Sequence, residues 1–465
     1  MTPGTADLER LARDVLAACA DGAGPVQVFA EETVALRVRC AQGERVETVL
    51  ESTAGVGVAT GTGAERRYAF APLDRLDALL PAGRPVPALP GAGRGADPGT
   101  DPSVDPGADP GADLERWALL TAGAEAWRQD PELRRAGGRI WSDEEFSRSR
   151  RAVVDSDGTA GGAVRERVRK RCWYRQDGDG RDGVGRVTGA SRWSGGPGGS
   201  AGPDALDPAE RADRLARAAY AQARALAAAR PHPAATTPVV LAAGVSGAFL
   251  HELVGHALEA DHLGRPGAAF VAQPGRRIAT AALTVLDDPN PPQGHGSLSV
   301  DDEGRPAPVL RLVEEGRVVG RIGSGAHPSP FGDHAAGRGR RQSYRFPALP
   351  RACNTVVLPG RTPAAELLEP GVLLVRALGG GEVDLRGGEF TFVATEAYRV
   401  GPRGELDPVR DVHLAGSVTA TLDRLVAVGD DPAWDNISCG KQGQWLGIGL
   451  HAPSLRFEDL RWEST

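Results

Sequence analysis

One stretch constrains this chain more than any other: Val245 to His262, reading V-S-G-A-F-L-H-E-L-V-G-H-A-L-E-A-D-H. His251, Glu252, His256, Glu259, Asp261 and His262 all fall within it, and each side chain is competent to bind a metal. The apolar residues between them suit a helix buried on at least one side. We read the stretch as a metal-binding helix.

A catalytic zinc site takes three protein ligands and keeps a position open for water. It also needs a base that removes a proton from that water. The H-E-x-x-H spacing sets two histidines about 40° apart on a regular helix, at about 100° per residue. Here His251 and His256 are i and i+5, which opens the angle to about 140°, too far round for one ion. A π-bulge, with i to i+5 hydrogen bonding, brings such a pair back to one face, and π-bulges favour functional sites. Gly255, directly before His256, makes local distortion cheaper. Glu252 then follows the first ligand directly, placed to polarise the metal-activated water and shuttle its proton. The expectation is local and sharp: this helix is irregular between His251 and His256. The competing reading is a buried helix carrying two hydrogen-bonded histidines.

Two ligands do not make a site. The third is to be sought in Glu259, Asp261 or His262, or further off in His295, His327, His334, Cys439 or His451. Cys439 stands out. It lies in N-I-S-C-G-K-Q-G-Q, read as a Gly-rich polar turn with Asn436, Lys441 and Gln444. A structural cysteine usually sits among apolar neighbours. A thiolate in a polar turn suits a metal ligand better, though solvated turn cysteines are also common. Lys441 is notable in its own right, because Lys170 and Lys441 are the only lysines in a chain with 54 Lys and Arg residues.

At 465 residues the chain exceeds one ordinary core, so two or three domains are expected. It is 41% hydrophobic and 25% charged, as soluble globular proteins are. A formal net charge of −7 exerts no global pull toward nucleic acid or anionic membrane. Cys19, Cys40, Cys172, Cys353 and Cys439 are widely spaced and form no CxxC pair, so reduced thiols in a cytoplasmic setting fit better than a disulfide framework. No secretory signal is visible, and no run approaches the ~20 apolar residues a membrane helix needs.

Along the chain, Asp7 to Ala20 reads as an amphipathic helix. Val26–Ala30, Thr33–Cys40, Val46–Glu51 and Gly55–Ala59 read as strands of a small sheet. The G-V-G-V-A-T-G run at Gly55–Gly61 lacks the G-x-G-x-x-G spacing and reads as strand and turn rather than a phosphate loop. Residues 91–113 repeat D-P-G with nothing to bury and read as a disordered linker. Leu114–Arg128 reads as helix, Val164–Tyr174 as a solvated edge strand, Gly178–Gly202 as a second flexible region and Asp207–Arg230 as a capped helix. From Pro238 onward the texture is strand and turn: Val239–Leu241, Arg277–Leu286, Val309–Glu314, Arg317–Ile322, Val372–Ala377, Phe390–Val400 and Asp411–Val418. The expected organisation is an N-terminal α/β segment (1–88), a linker (89–113), a central α/β segment (114–233) and a β-rich C-terminal domain (234–465). Nucleic-acid binding through Arg165–Arg171 or Arg338–Arg341 is set aside on the acidic balance of the whole.

At this point the residues resemble a family. H-E-L-V-G-H-A-L-E-A-D at His251–Asp261 is similar to the H-E-x-x-x-H helix of the TldD/PmbA family of metalloproteases. The resemblance continues through Gly296–Gly304, Gly339–Tyr344, Leu349–Thr355, Gly379–Asp384 and Ser438–Gln444, in order and spacing over roughly 239–460. It implies an α+β protein whose β-rich, barrel-like C-terminal domain carries the helix. It implies Zn2+ held by His251, His256 and Cys439, with Glu252 catalytic, as in the TldD-like branch. It implies a peptidase of unstructured peptides that helps mature ribosomally made ones. The partner would be a PmbA/TldE-like subunit or a second copy, with no nucleic acid and no membrane. A non-catalytic peptide-binding or assembly subunit is the alternative. The chain departs from the family's pattern at Ala257, Ala260 and Trp445 and around Pro328–His334, which bears on peptide preference rather than on the ligands.

Overall fold

The computed structural model describes residues 5–20, 24–41, 44–61, 66–80, 139–175, 182–184, 188–194, 219–225, 228–262, 265–291, 294–325, 327 and 337–464. The 91–113 repeat, the 114–128 helix and most of the 207–230 helix lie outside these residues.

Helix α1 (Thr5–Cys19) buries Leu8, Leu11, Ala12 and Val15 on one face, as their three- and four-residue spacing demands. They cover a sheet of β1 (Val26–Ala41), β2 (Glu44–Thr60), β3 (Arg67–Pro72), β4 (Arg139–Asp155), β5 (Ala160–Arg175), β6 (Asp182–Val184) and β7 (Thr188–Ser194). Its order is β3-β2-β1-β4-β5, with β6 and β7 both pairing β5. Strands from either side of residues 89–113 thus share one sheet. The expected short strands merge into two long ones, β1 and β2, in unbroken antiparallel register from Val26↔Thr60 to Arg39↔Glu47. Polar Glu31, Glu32 and Thr33 do not break β1, because β2 and β4 supply its backbone hydrogen bonds on both sides. The edge-strand expectation for Val164–Tyr174 is corrected: β5 lies between β4 and β7, and Arg165 is buried. Part of the Gly178–Gly202 stretch, expected to be flexible, forms β6 and β7.

The C-terminal strands are β8 (Ala235–Leu241), β9 (Val285–Asp287), β10 (Leu310–Glu314), β11 (Arg317–Val318), β12 (Gly339–Arg340), β13 (Leu349–Pro350), β14 (Asn354–Val357), β15 (Leu373–Asp384), β16 (Glu389–Val400), β17 (Leu406–Val409), β18 (Val412–Ser417), β19 (Leu425–Val428), β20 (Ala433–Lys441), β21 (Gln444–Ala452) and β22 (Leu455–Ser464). Five of them close a barrel: β15-β8-β22-β18-β16, with β16 returning to β15. Closure leaves these strands no free edge within the ring. Period-two alternation turns Phe390, Phe392 and Ala394 of β16, and Val412 and Leu414 of β18, into the core. A second sheet, β11-β10-β9-β14-β21-β20, flanks the barrel and ends on β20. The strand expected over Arg277–Leu286 is ladder-paired only from Val285, because Thr280–Ala282 turn.

Between barrel and sheet runs helix α2 (Val245–Leu250) with its continuation. Gly244 starts it at φ 79°, where a side chain would be strained. Phe249 packs against Phe390, Phe392 and Phe457 with ring centroids 5.0 to 5.5 Å apart. Gly247 lets the helix close on β21, since a Cβ there would lie 3.0 Å from that of Leu450. That close approach carries the β20–β21 hairpin up to the histidines.

Candidate metal centre

The helix changes its winding where the spacing required. His251–Gly255 is a π-turn, and the N–H of His256 donates to the carbonyl of His251, an i to i+5 bond. The two rings come within 4.8 Å, centroid to centroid. A regular helix would have splayed them. Gly255 fits under the first ring: a Cβ there would stand 3.3 Å from His251 Nδ1.

Cys439 completes the group. It lies on strand β20, not in the turn, three residues before the Gln442–Gly443 reversal, and it is buried. Its Sγ is 3.0 Å from His256 Nε2. One donor atom from each of His251, Glu252, His256 and Cys439 falls within 4.8 Å of every other. Glu252 Oε2 is 3.7 Å from His256 Nε2.

The outer nitrogens are held. His256 Nδ1 is 2.7 Å from Glu259 Oε2, and His251 Nδ1 is 3.2 Å from Thr355 Oγ1. With Nδ1–H donated outward, each Nε2 lone pair points inward. His251 Nε2 is buried without a hydrogen-bond partner. A buried acceptor is costly to leave unmatched, and a cation is the partner that this one, a thiolate and a second imidazole share. Two nitrogens and one sulfur are a donor set that zinc accepts, and the carboxylate and hydroxyl behind the rings are the outer support that ligating histidines use.

The electrostatics agree. Burial alone would raise the Cys439 thiol, but His256 and His251 beside it more than reverse this, bringing it down to about 4. Burial raises the Glu252 carboxyl above its ordinary value, against the pull of the two histidines. Glu259 goes the other way: burial disfavours its charge, yet Lys441 and His256 hold it well below the carboxylate range.

The other candidate ligands are engaged elsewhere. Glu259 and Asp261 both meet Lys441 Nζ, at 2.8 and 2.7 Å. His262 Nδ1 lies 2.9 Å from the His256 carbonyl oxygen. His256, Glu259 and His262 form a second group of donors, but its carboxylate is the one Lys441 occupies. His327 sits by Ser324, His451 stacks on Trp434 at 4.6 Å, and His295 lies against Gly447, outside the donor group. His334 and the divergent 328–336 segment lie outside the described residues. The sequence reading missed Thr355 and Arg351. Both lie in the Leu349–Thr355 segment of the family resemblance, but their reach to His251 and Glu259 depends on the fold and not on that segment.

Glu252, His256 and Cys439 open onto a cavity of about 1170 Å³. Its walls include Gly379–Gly381 of β15, Phe392, the edge of β20 and Trp445, which is 63% exposed.

The family model described as the PmbA/TldA metallopeptidase C-terminal domain matches residues 234–464. A metalloprotease of Synechocystis is 39% identical over 232 residues, covering 48% of this chain and 49% of that protein. The chain belongs to the PmbA/TldD metallopeptidase family. A family relative in Haemophilus influenzae, named as a metalloprotease TldD homolog, is 32% identical over 262 residues, 55% of this chain and 54% of its own. A relative in Saccharolobus solfataricus, named as a zinc metalloprotease TldD homolog, is 30% identical over 228 residues, 48% and 51%. The chain spans about half the length of the curated relatives it matches. The fold likeness runs further. TldE from Thermococcus kodakarensis superposes with a TM-score of 0.66 over 98% of this chain and 100% of its own at 16% identity. A Bacteroides thetaiotaomicron protein described as a candidate modulator of DNA gyrase gives 0.69 over the whole of both chains at 14%. Among the described residues no helix is long and apolar enough to cross a membrane.

Proposed function

We propose that this chain is a catalytic, TldD-like member of the family: a zinc-dependent peptidase that cuts unstructured peptides, with maturation or trimming of a ribosomally made peptide as its role. The observation that carries this reading is the gathering of two imidazoles, a thiolate and a carboxylate, three of the four side chains opening onto one large cavity. His251, His256 and Cys439 are the residues that would hold zinc. A bound zinc ion supplies Lewis-acid chemistry, drawing electron density from a peptide carbonyl and making water more acidic.

Glu252 is the base. Its carboxylate stands beside the donor group, and burial raises its pKa toward the working range of a general base. It takes a proton from the attacking water and returns it to the leaving amine. Glu259 accepts from His256 Nδ1, which turns the Nε2 lone pair of that ring toward the site. Only 16% of the Glu252 side chain is exposed, so a folded substrate would not bring its backbone to it. The peptidase portion is 234–465, with 1–88 and 114–233 supplying the N-terminal sheet and 89–113 joining them. A PmbA/TldE-like chain or a second copy is the partner. Five widely spaced cysteines with no CxxC pair support a cytoplasmic setting.

The test pairs metal content with cleavage. Glu252→Gln keeps zinc while losing about 10²- to 10⁴-fold in cleavage of an unstructured peptide library followed by mass spectrometry. Cutting at the wild-type rate by that variant would sink the mechanism. Wild type that holds no zinc after careful handling would leave the non-catalytic subunit as the better reading.

A further inference from the structure

A buried ammonium ties the two halves of the donor group together. Lys441 Nζ meets Glu259 Oε2 at 2.8 Å, Asp261 Oδ1 at 2.7 Å and the Pro350 carbonyl at 3.0 Å. Three acceptors use all three protons of a lysine ammonium. The Glu259 oxygen it holds is the one that lies 2.7 Å from His256 Nδ1. Glu259 is fully buried and Lys441 nearly so. The planar fork of an arginine would not converge three oxygens on one nitrogen, which accounts for a lysine in so arginine-rich a chain.

The other end of Lys441 matters as much. It lies two residues beyond Cys439 on β20, so both side chains leave the strand on one face. Among the described residues β20 is ladder-bonded only to β21. The ladder therefore does not hold its free side to the metal helix. Side chains do that: Lys441 grips Glu259 and Asp261, and Arg351 Nη2 donates to the Cys439 carbonyl at 2.8 Å.

We propose that Lys441 is a positioning residue of the metal centre: acting through Glu259 it orients His256, and through its own strand it keeps Cys439 against the helix. The proposal rests on the zinc reading above.

The experiment is a double-mutant cycle on the full chain, stripped of metal and titrated with zinc against a chromogenic chelator. Lys441→Met weakens zinc binding by about 10- to 100-fold, as loss of outer-shell support does. The same change made in a Glu259→Gln background costs less than it does in wild type, because the relay to His256 is already cut and only the hold of Asp261 and Pro350 on the strand is lost. Cobalt(II) spectra give a readout that general loss of stability does not mimic: the single variants shift the d–d bands. Lys441→Met leaves Glu259 with less compensation and is the variant most prone to misfold. Glu259→Gln and the double variant carry less buried charge. If Lys441→Met does not fold, Glu259→Gln decides, with about tenfold weaker zinc binding and shifted d–d bands expected. Equal losses in both backgrounds, or unchanged affinity and spectrum in Glu259→Gln, overturn the proposal. Wild type that binds no zinc overturns the zinc reading and this inference with it, and that outcome differs from zinc binding indifferent to Lys441.

Discussion

At the scale of single residues, adjacent acids meet opposite fates. Burial would raise Asp302, but Arg165 and Arg151 hold it well below the usual carboxylate range. Burial and the neighbouring Glu303 push Asp301 up to about 7. The signs follow from which state binds more protons. Asp302 contributes stability that is present above the unfolded carboxylate pKa of about 4 and lost as pH falls. Asp301 contributes stability that is present below about pH 4 and lost as pH rises toward 7. Thermal melts from pH 4 to 7 should therefore show a smaller decline for Asp301→Asn than for wild type, whatever that variant costs at pH 4. Identical slopes would place the titration elsewhere. Residue identity alone did not foretell this. Both are Asp in one acidic run, and their neighbours in space separate them.

At the scale of elements, the helix that carries His251 and His256 is held by what lies on either side. Its irregularity was legible, because i, i+5 histidines serve one ion only on a π-turn, and Gly255 permits it. Its burial was legible from its apolar residues. Its seat was not: Phe249 meets aromatic residues from β16 and β22, far apart in the chain. Phe249→Ala should cost about 3–5 kcal/mol of unfolding free energy, read by denaturant titration. Zinc affinity should fall with it, since Val245–Leu250 leads directly into the π-turn. A loss under about 1 kcal/mol would mean that the barrel does not anchor the helix. Cys439 shows the limit of local reading from the other side. A Gly-rich polar segment reads as a turn, yet β21 pairs it through to Lys441↔Gln444 and makes it strand.

At the scale of the molecule, the N-terminal sheet and the C-terminal domain meet through buried ions. Arg151 bridges Glu31 at 2.7 Å and Asp302 at 2.9 Å, and Arg165 reaches the same Asp302 oxygen at 2.7 Å. Arg341 stacks over Phe29, with its guanidinium carbon 4.3 Å from the ring centroid, and Tyr68 donates to the Tyr344 carbonyl at 2.6 Å. Arg165, read as part of a solvated basic strand, thus forms part of a junction. Asp302→Ala leaves two arginines buried without their shared carboxylate and should cost about 3–5 kcal/mol. The shift should persist in high salt, since buried pairs are little screened. A change that salt abolishes would argue that the junction is wet.

The sequence by itself determined the histidine pair, the glutamate beside it, the need for a π-turn and the β-rich character of the C-terminal domain. Each of these is a matter of spacing along a few consecutive residues. Tertiary structure decided the rest. It brought the Cys439 sulfur to an imidazole 183 residues away. It spent Glu259 and Asp261 on Lys441, and it drew Arg165 from a charged strand into the core. The physical reason is that a donor's role depends on what else is buried within hydrogen-bonding reach. Barrel closure and sheet pairing set that neighbourhood, and local periodicity does not encode it.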